Sequence, residues 1–533
     1  NPEQIFNIID AKVLDEYGDL TRNRKISPIE WNEHFKKHFL PPIAEEKYEK
    51  PPAAEFSVPS LFSQLKTFIT RDVLSKLTNT QYVVINLMEA PILAFILAFL
   101  IRYHSSDASN KVGYIFRENE NVPTYIFMSV IVSLFLGLMV SAEEIIRDQK
   151  IRKREAFLNL SKGSYFMSKI TIMFTISALQ MLLFVLIGNS ILHIKGMWVD
   201  YWLILFTVSC FANLLGLNIS ASFNSAVTIY ILIPFLIIPQ LLLSGIVVKF
   251  DKLNPIPVVS SQTEVPFVGQ MMASRWAFEA LSVDQYINNK YEQKFYVYDK
   301  YFSIANFKKT FWIPKMSTKL EELQGIYKDP KQQAQTNDDL VLIKNEITKE
   351  LQQAPTIKYA YLDSLDTKHF SPSILSKTND YLNALNNYYI QQSNSASDAK
   401  DKLVESLQTT DAQKATFLQE KDDYSNDNLS DFVTNKNDFT NHIIEVDHEL
   451  IQKADPIYLD PVKSSFFGNA HFYAPTKRVF GQLFDTYWVN MGIIWGMTIF
   501  LIITLYFDAL KSLLDGFGNI KFPFKIHIGG RKK

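Results

Sequence analysis

The sequence predicts an α-helical membrane protein with six transmembrane helices, an amphipathic connecting helix before the first, and a large, mostly α-helical extracytoplasmic domain between the fifth and the sixth. A contrast in composition leads to this fold class. Residues 82–248 are strongly apolar, whereas residues 290–480 are rich in Asp, Lys, Asn, Gln and Ser. A chain divided in this way joins a membrane domain to a soluble one.

The apolar part contains stretches long enough to cross a bilayer. A transmembrane helix needs about 20 mainly apolar residues, because the hydrocarbon core is about 30 Å thick and each helical residue advances about 1.5 Å. Six stretches qualify: 82–101, 123–142, 165–192, 199–220, 225–248 and 487–507. Any one of them could be a buried helix of a soluble protein, but six together favour membrane crossing.

A basic loop at residues 143–164 orients the chain. Its Lys and Arg side chains are Arg147, Lys150, Arg152, Lys153, Arg154 and Lys162. Short loops this rich in positive charge stay on the cytoplasmic side of the membrane. Both chain ends are therefore predicted to be cytoplasmic, and the basic tail at 511–533 agrees with this topology.

The topology divides the chain into six segments. They are a cytoplasmic segment with a Pro-rich linker (1–58), the amphipathic connecting helix (59–80), transmembrane helices one to five with the loop 143–164 (81–248), the extracytoplasmic domain (249–483), the sixth transmembrane helix (484–510) and the cytoplasmic tail (511–533).

The connecting helix is predicted from apolar residues that recur at helical period. They are Leu61, Phe62, Leu65, Phe68, Ile69, Val73, Leu74 and Leu77. The other face carries Lys66, Arg71 and Lys76, which is typical of a helix lying in the membrane interface. An ordinary surface helix has the same pattern, but the position directly before the first apolar stretch favours the interface.

The extracytoplasmic domain is predicted to be built from paired helices, because apolar residues recur at helical spacing in two places. They are Leu340, Leu342, Ile343, Ile347 and Leu351 in one, and Leu382, Leu385, Tyr388 and Tyr389 in the other. Residues 393–398 and 422–428 are polar and predict turns. The Tyr- and Phe-rich runs at 294–302 and 464–473 predict either strands or segments packed on the membrane surface.

The chain lacks the motifs of a self-sufficient enzyme. It has no GxxxxGK[ST] phosphate loop, no HExxH and no GxSxG. It has one cysteine, and its nine histidines are interpreted as scattered, so no catalytic residue, metal or cofactor is predicted on this chain. The net charge of −1 argues against a nucleic-acid partner.

Polar residues within or beside the apolar stretches are candidates for a transport pathway, because buried polar groups in a membrane are costly and commonly functional. The candidates are Asn86, Glu89, Gln240, Leu242, Ser244 and Asn490. For Glu89 the alternative is a shallow position and a pairing with a neighbouring helix or an interface lysine. Pro234 and Pro239 predict a kinked fifth helix.

Three local sequences resemble a known family. They are EEIIRDQKIRKREAFLNLSKGSYFMSK from residue 143, FNSAVTIYILIPFLIIPQLLLSGIVVKFDKLNP from residue 223, and MASRWAFEAL at 272–281. Together with the order of helices and loops, they resemble the membrane domain of ABC exporters of the G-subfamily (White-protein) type and their bacterial relatives. The resemblance covers residues 60–290 and the last apolar stretch. The long external segment departs from the family.

The resemblance implies a role for the basic loop. Residues 143–162 would form a coupling helix that contacts a nucleotide-binding domain, and that domain would bind ATP and Mg. The residues implied in coupling are Glu143, Glu144, Arg147, Arg152, Arg154, Glu155 and Lys162. The nucleotide-binding domain would lie upstream on the same polypeptide, with residues 1–58 as its tail, or on a separate subunit. Arg275 and Glu279 would be structural residues at the outer membrane face.

The leading functional hypothesis is the transmembrane part of an ATP-driven ABC exporter, working as a dimer with a second copy and moving a lipid-like or amphipathic substrate. One alternative is a mechanotransmitting ABC protein that relays motion to a periplasmic partner. Another is a membrane-anchored scaffold without transport. Composition and topology favour a bacterial inner membrane, with residues 249–483 in the periplasm and membrane lipid as a partner.

Overall fold

The computed structural model describes residues 2–39, 59–103, 113–158, 160–436, 442–461 and 468–518. The predicted Pro-rich linker and most of the predicted basic tail lie outside these residues. The chain divides into two compact units, Asn1–Pro59 and Ser60–Lys533.

The first unit is small and has no buried side chain among its described residues. Its elements are α1 (Pro2–Ile9), β1 (Lys12–Leu14), β2 (Leu20–Arg24) and α2 (Pro28–His38). The helix α2 begins at a reciprocal cap, in which the Ser27 side chain accepts from the Glu30 backbone and the Glu30 carboxylate accepts from the Ser27 backbone.

The second unit begins with seven helices. They are α3 (Leu61–Leu77), α4 (Thr80–Ile101), α5 (Val122–Ser141), α6 (Glu144–Glu155), α7 (Lys162–Ile191), α8 (Trp198–Ser222) and α9 (Ala226–Leu242). The remaining elements are α10 (Phe267–Gln270), α11 (Ala273–Ile287), α12 (Tyr296–Phe307), α13 (Ile313–Ile326), α14 (Gln333–Gln353), α15 (Pro372–Ser406), α16 (Asp411–Tyr424), α17 (Asp427–Val433), β3 (Ile443–Val446), β4 (Glu449–Gln452), β5 (Thr476–Val479), β6 (Gln482–Asp485), α18 (Thr486–Tyr506) and α19 (Ala509–Gly518).

Strands make only short antiparallel hairpins in the part of the chain that the structure describes. Within the second unit, β3 pairs with β4 and β5 pairs with β6. The register aligns Ile443 with Gln452 and Thr476 with Asp485. Each hairpin connects helices and adds no separate sheet layer.

Five helices of the described chain are long and apolar enough to cross a membrane: α4, α5, α7, α8 and α18. The fifth predicted stretch, 225–248, is shorter than expected as a helix. It forms α9, which has 17 residues, contains Pro234 and Pro239, and ends at Leu242. Gly245 follows with a φ of 79°, a left-handed conformation that turns the chain. A count of six transmembrane helices therefore remains a prediction.

Helices α5 and α8 pack through small residues, which we call the α5–α8 seam. Gly137 of α5 lies against Ser209 and Ala212 of α8, and Gly216 of α8 lies against Ser141 of α5. Small residues let helix backbones approach closely. In a membrane, where no hydrophobic effect drives helices together, this close packing supports their association. The seam lies at the centre of the helix bundle, since most side chains of α5 and α8 are buried.

The predicted domain 249–483 divides between two hydrophobic cores. Helix α11 belongs to the bundle, because Trp276, Phe278 and Leu281 lie in the same buried cluster as the side chains of α5 and α8. A separate core is formed mainly by α13, α14 and α15, and it includes Leu340 and Ile343 of α14, as the apolar spacing predicts. These three helices all lie within the predicted extracytoplasmic segment.

One local prediction in this segment is wrong, and one of two alternatives for an aromatic run is excluded. Residues 393–398 do not form a turn, because they lie within the 35-residue helix α15, where Ser393 and Ala396 are buried. The aromatic run at 294–302 is no strand. It enters the helix α12, where the ring of Tyr296 packs against Tyr458 at 5.6 Å. Tertiary contacts such as the burial of Ser393 and Phe295 outweigh the local preference for a turn or a strand.

Gly137→Ala is expected to lower the thermal midpoint of the protein in detergent. The added methyl group would lie 2.6 Å from the backbone carbonyl oxygen of Ser209, which cannot rotate away, so α5 and α8 must separate. Overpacking of this kind costs about 1–3 kcal/mol.

Gly496→Ala in α18 is the matched control for that substitution. No atom lies within 4 Å of a methyl group at this position, so the better helix propensity of alanine is expected to leave the midpoint unchanged or raise it. An equal response of the two variants would contradict the α5–α8 seam.

Candidate functional site

Helices α3, α6 and α7 meet at a group of buried charges, which we call the ion cluster. It consists of Asp72 and Lys76 from α3, Glu144 and Asp148 from α6, and Lys169 from α7. The side chains of Lys169, Glu144 and Lys76 are only 2%, 3% and 7% exposed. The ion cluster thus joins three separate segments of the chain.

The two ammonium groups of the ion cluster are shared among the three carboxylates. Lys76 Nζ lies 2.8 Å from Asp72 Oδ2 and 2.8 Å from Glu144 Oε2. Lys169 Nζ lies 2.8 Å from Asp148 Oδ2, 3.0 Å from Asp72 Oδ1 and 3.2 Å from Glu144 Oε2. Glu144 therefore bonds to both lysines and connects α6 to α3 and α7 at once.

The balance of charge in the ion cluster is nearly complete. Three carboxylates face two ammonium groups, and the Arg147 guanidinium lies 3.3 Å from Glu144 Oε1 at the exposed edge. Burial raises the pKa of Asp72, but the charges of Lys169 and Lys76 outweigh it and hold that pKa below its usual range. The two lysines thus favour the ionised form of Asp72.

Further contacts fix α6 against the bundle. The backbone N–H groups of Ile145 and Ile146 both donate to Ser220 Oγ of α8 at 3.1 Å. At the other end of α6, Arg71 of α3 binds Glu155 at 2.8 Å. These contacts, together with the ion cluster, attach α6 to α3, α7 and α8.

The opposite side of α6 is exposed. Lys150, Lys153 and Arg154 face outward, and the side chain of Phe157 beyond the helix is 79% exposed. A cleft of about 590 Å³ lies beside them, with Lys162 among its lining residues. An exposed aromatic ring beside basic side chains is typical of a surface that binds another protein.

The residues implied in coupling fall into two groups, those that contact α3 or α7 and the remaining members. Glu144 and Glu155 bind basic residues of α3 and α7, and Arg152 stacks on Tyr165 with its guanidinium carbon 4.9 Å from the ring centre. The remaining members are Glu143 in the turn before α6, Arg147 at the edge of the ion cluster, Lys162 bound to Asp508, and the exposed Arg154. Their roles in coupling remain predictions.

Sequence reasoning missed Asp72, Lys76 and Lys169. Helical periodicity places Lys76 with Lys66 and Arg71 on an exposed face, yet Lys76 is buried. The available signal was Lys169, a lone positive charge within the apolar stretch 165–192, since such a charge needs a partner.

The pathway candidates on α4 lie together. The Asn86 amide donates to the Tyr82 carbonyl at 2.9 Å, and the Asn86 carbonyl accepts from Gln180 of α7 at 2.8 Å. Glu89 is half-buried one turn further along the same helix.

The other pathway candidates lie around α11 and the end of α9. Gln240 bonds to Ser274 twice, at 3.0 and 2.6 Å, and Asn490 donates to the Trp276 carbonyl and to Glu279 at 2.9 and 2.8 Å. Ser244 is buried and donates to the Leu241 carbonyl, while Leu242 is exposed. A role of these residues in transport remains a prediction.

The histidines are less scattered than the sequence interpretation held. His34 and His38 lie four residues apart on α2, and their rings stack at 5.2 Å between centres. The described residues contain no group of three or more His, Cys, Asp or Glu side chains that could hold a metal ion.

A second polar junction lies where α5 begins, which we call the Asn426 junction. The Asn426 amide, between α16 and α17, donates to the carbonyl oxygens of Phe116 and Asn119 at 2.8 and 2.9 Å. Arg117 in the same segment pairs with Asp422 of α16 at 3.2 Å. The helices before α18 are thereby fastened to the segment that leads into α5.

Comparison with known proteins identifies the membrane domain. Residues 63–281 match the family model described as ABC-2 type transporter. The match includes α4, α5, α7 and α8, so the chain is an integral membrane protein with an ABC-2 membrane domain. No curated protein matches the chain.

Lys169→Met is expected to lower the free energy of unfolding strongly. It removes an ammonium group that three buried carboxylates share, and breaking a buried ion pair from one side costs about 3–5 kcal/mol. Thermal or denaturant unfolding in detergent measures the loss. Asp148→Asn/Lys169→Met is expected to recover part of it, because one unpaired carboxylate is removed as well.

Lys162→Met is the matched control, because its pair with Asp508 is more than a third exposed on both sides. Exposed pairs contribute about 0–1 kcal/mol. If Lys169→Met were no more damaging than Lys162→Met, the ion cluster would not fix the three helices.

Proposed function

We propose that the chain is the transmembrane part of an ATP-driven ABC exporter of the G-subfamily type, and that α6 receives movement from a nucleotide-binding domain. The observation that carries the proposal is the ion cluster, which attaches α6 to α3 and α7. The ABC-2 membrane domain supports the same function, because such domains generally pair with a nucleotide-binding domain.

The mechanism begins at the exposed side of α6. Arg154 and Phe157 would contact the nucleotide-binding domain, which holds ATP and Mg because this chain has no phosphate loop of its own. When ATP binding moves that domain, α6 moves with it. The buried ion pairs then displace α3 and α7, because a charge drawn out of its pair in a buried site costs several kcal/mol.

This function places α6 in the cytoplasm, most simply of a bacterial cell, and the core of α13–α15 in the periplasm. The first unit also fits the proposal. Its side chains, including Phe6 and Phe35, are exposed, as expected of a segment that packs against an ATPase region upstream or on another subunit.

The proposed working form is a dimer in which α4 and α9 face the second copy or lipid. Both helices expose large apolar side chains, such as Phe95 and Phe99 on α4 and Phe235 on α9. Helix α5 is mostly buried by its own chain, so a pathway would be lined by α4 and α9 and would suit a lipid-like substrate.

A second candidate function, relay of motion to a periplasmic partner, is favoured by the Asn426 junction. Helix α5 starts beside that junction and ends directly before α6. Movement of α6 could thus reach the outer helices through a single buried helix, without any substrate crossing the membrane.

Arg154→Ala/Phe157→Ala is expected to abolish the stimulation of ATPase activity by lipid. The complex that contains this chain would be purified into nanodiscs and its ATPase rate measured with and without added lipids. Both side chains are exposed and lie outside the ion cluster, so the thermal midpoint should not change.

Lys66→Ala is the control for that measurement, because Lys66 is an exposed basic residue on α3 and should leave the stimulated rate intact. An unchanged stimulated rate in the double variant would remove the coupling role of α6. If the double variant lowered the ATPase rate, and no added lipid raised that rate in the wild type, relay of motion would be favoured.

A further inference from the structure

Arg275 of α11 is a fully buried cation that has no hydrogen-bond acceptor in the part of the chain that the structure describes. Its side chain is 0% exposed, and none of its three guanidinium nitrogens has a hydrogen-bond partner in the described chain. Among the described residues, the carboxylate beside it is that of Glu279, 3.4 Å from Nη2. A guanidinium carries five N–H donors, so leaving all of them unbonded in a buried site is costly.

Glu279 forms an ion pair with Arg275 but no hydrogen bond, and three other donors share its two oxygens. Lys477 Nζ lies 2.7 Å from Oε2 and the Asn490 amide 2.8 Å from the same atom, while the backbone N–H of Tyr473 donates to Oε1 at 3.2 Å. One carboxylate thus faces two basic side chains. Burial, followed by the charge of Arg275, lowers the pKa of Lys477 to about 7.

A cavity of about 320 Å³ lies one side chain away from Arg275. Phe472 separates the two, since its ring lines the cavity and its centre is 5.7 Å from the Arg275 guanidinium carbon. The cavity is lined by the aromatic rings of Phe250 and Phe432, and its charged lining residues include Lys252 and Asp431. Its volume is at the lower end of the range of about 300–1,000 Å³ for small-molecule sites.

We propose that Arg275 is the anchor of a binding site for the anionic head of an amphiphile, a phosphate or a carboxylate, which enters through the aromatic cavity when Phe472 swings aside. The missing acceptor and the missing negative charge are both supplied by such a head. Arg binds phosphate and carboxylate through paired, charge-assisted hydrogen bonds. The aromatic lining would accommodate the first part of an apolar tail.

This inference goes beyond the proposed function. It assigns a ligand class to a site outside the pathway candidates, and it holds whether or not the bound molecule is transported. Binding is measured without ATP, so its failure would leave the ATPase result untouched, and the reverse also holds.

The test is native mass spectrometry of the full chain in neutral detergent, with dodecyl phosphate as the probe. The wild type is expected to retain one dodecyl phosphate and to bind dodecyltrimethylammonium at least tenfold more weakly. Arg275→Gln should weaken dodecyl phosphate tenfold or more. Arg478→Gln, which removes a half-buried arginine from the same hairpin as Lys477, should bind like the wild type.

Inorganic phosphate distinguishes the two sources of the anion. Binding as tight as that of dodecyl phosphate would assign the site to a free anion, and weaker binding would assign it to a lipid head with its tail. If Arg275→Gln and the wild type bind dodecyl phosphate equally, or if the cationic amphiphile binds as well, the proposal is overturned.

Phe472→Ala provides a second test in case Arg275→Gln does not fold. It removes the ring between the cavity and Arg275, so stopped-flow fluorescence should show faster association of dodecyl phosphate and no change for dodecyltrimethylammonium. The Trp276 ring, 3.9 Å from the Arg275 guanidinium carbon, supplies the signal. Unchanged association of dodecyl phosphate would contradict entry past Phe472.

Discussion

Buried charges must be paired, and this requirement determines how the second unit is arranged at the α6 end. Helix α6 is too polar to pack by apolar contacts alone, since it carries Arg147, Arg152 and Arg154 on a single short helix. Glu144 and Asp148 instead attach α6 through ion pairs, because both carboxylates reach the buried Lys169. Without Lys169 inside α7, Asp148 would lose its ion pair, Glu144 would keep only Lys76 and Arg147, and α6 would lose its ion pairs to α7.

The α5–α8 seam extends this arrangement across the bundle. Close approach at Gly137 and Gly216 makes α5 and α8 a tightly packed pair, and the Ser220 hydroxyl of α8 accepts from the first turn of α6. At the far end, the Asn426 junction fastens the segment before α5. Polar contacts therefore hold the α5–α8 pair at both ends, and small residues pack the pair closely in between. Such a rigid pair would transmit a displacement better than a flexible linker.

Much of this fold could be predicted from the sequence, because long apolar stretches and helical periodicity are local signals. Leu340 and Leu385 lie on helices, as their spacing predicted, and share one core, and five of the six long apolar stretches correspond to α4, α5, α7, α8 and α18. The ion cluster could not be predicted in full, since Lys76 is buried only through partners such as Glu144, 68 residues away in the chain. The extent of α15 and the unbonded state of Arg275 likewise depend on packing between distant segments.

The central claim is that α3, α6 and α7 move as one body, and electron–electron distance measurement between spin labels tests it most directly. Labels at Lys66 on α3 and Lys150 on α6 would be compared in the complex with and without ATP and Mg, since both positions are exposed. The single native cysteine, Cys210, is buried and should not compete for label. One unchanged distance is expected in both states, whereas a distance that shifts when ATP binds would show that α6 moves relative to α3.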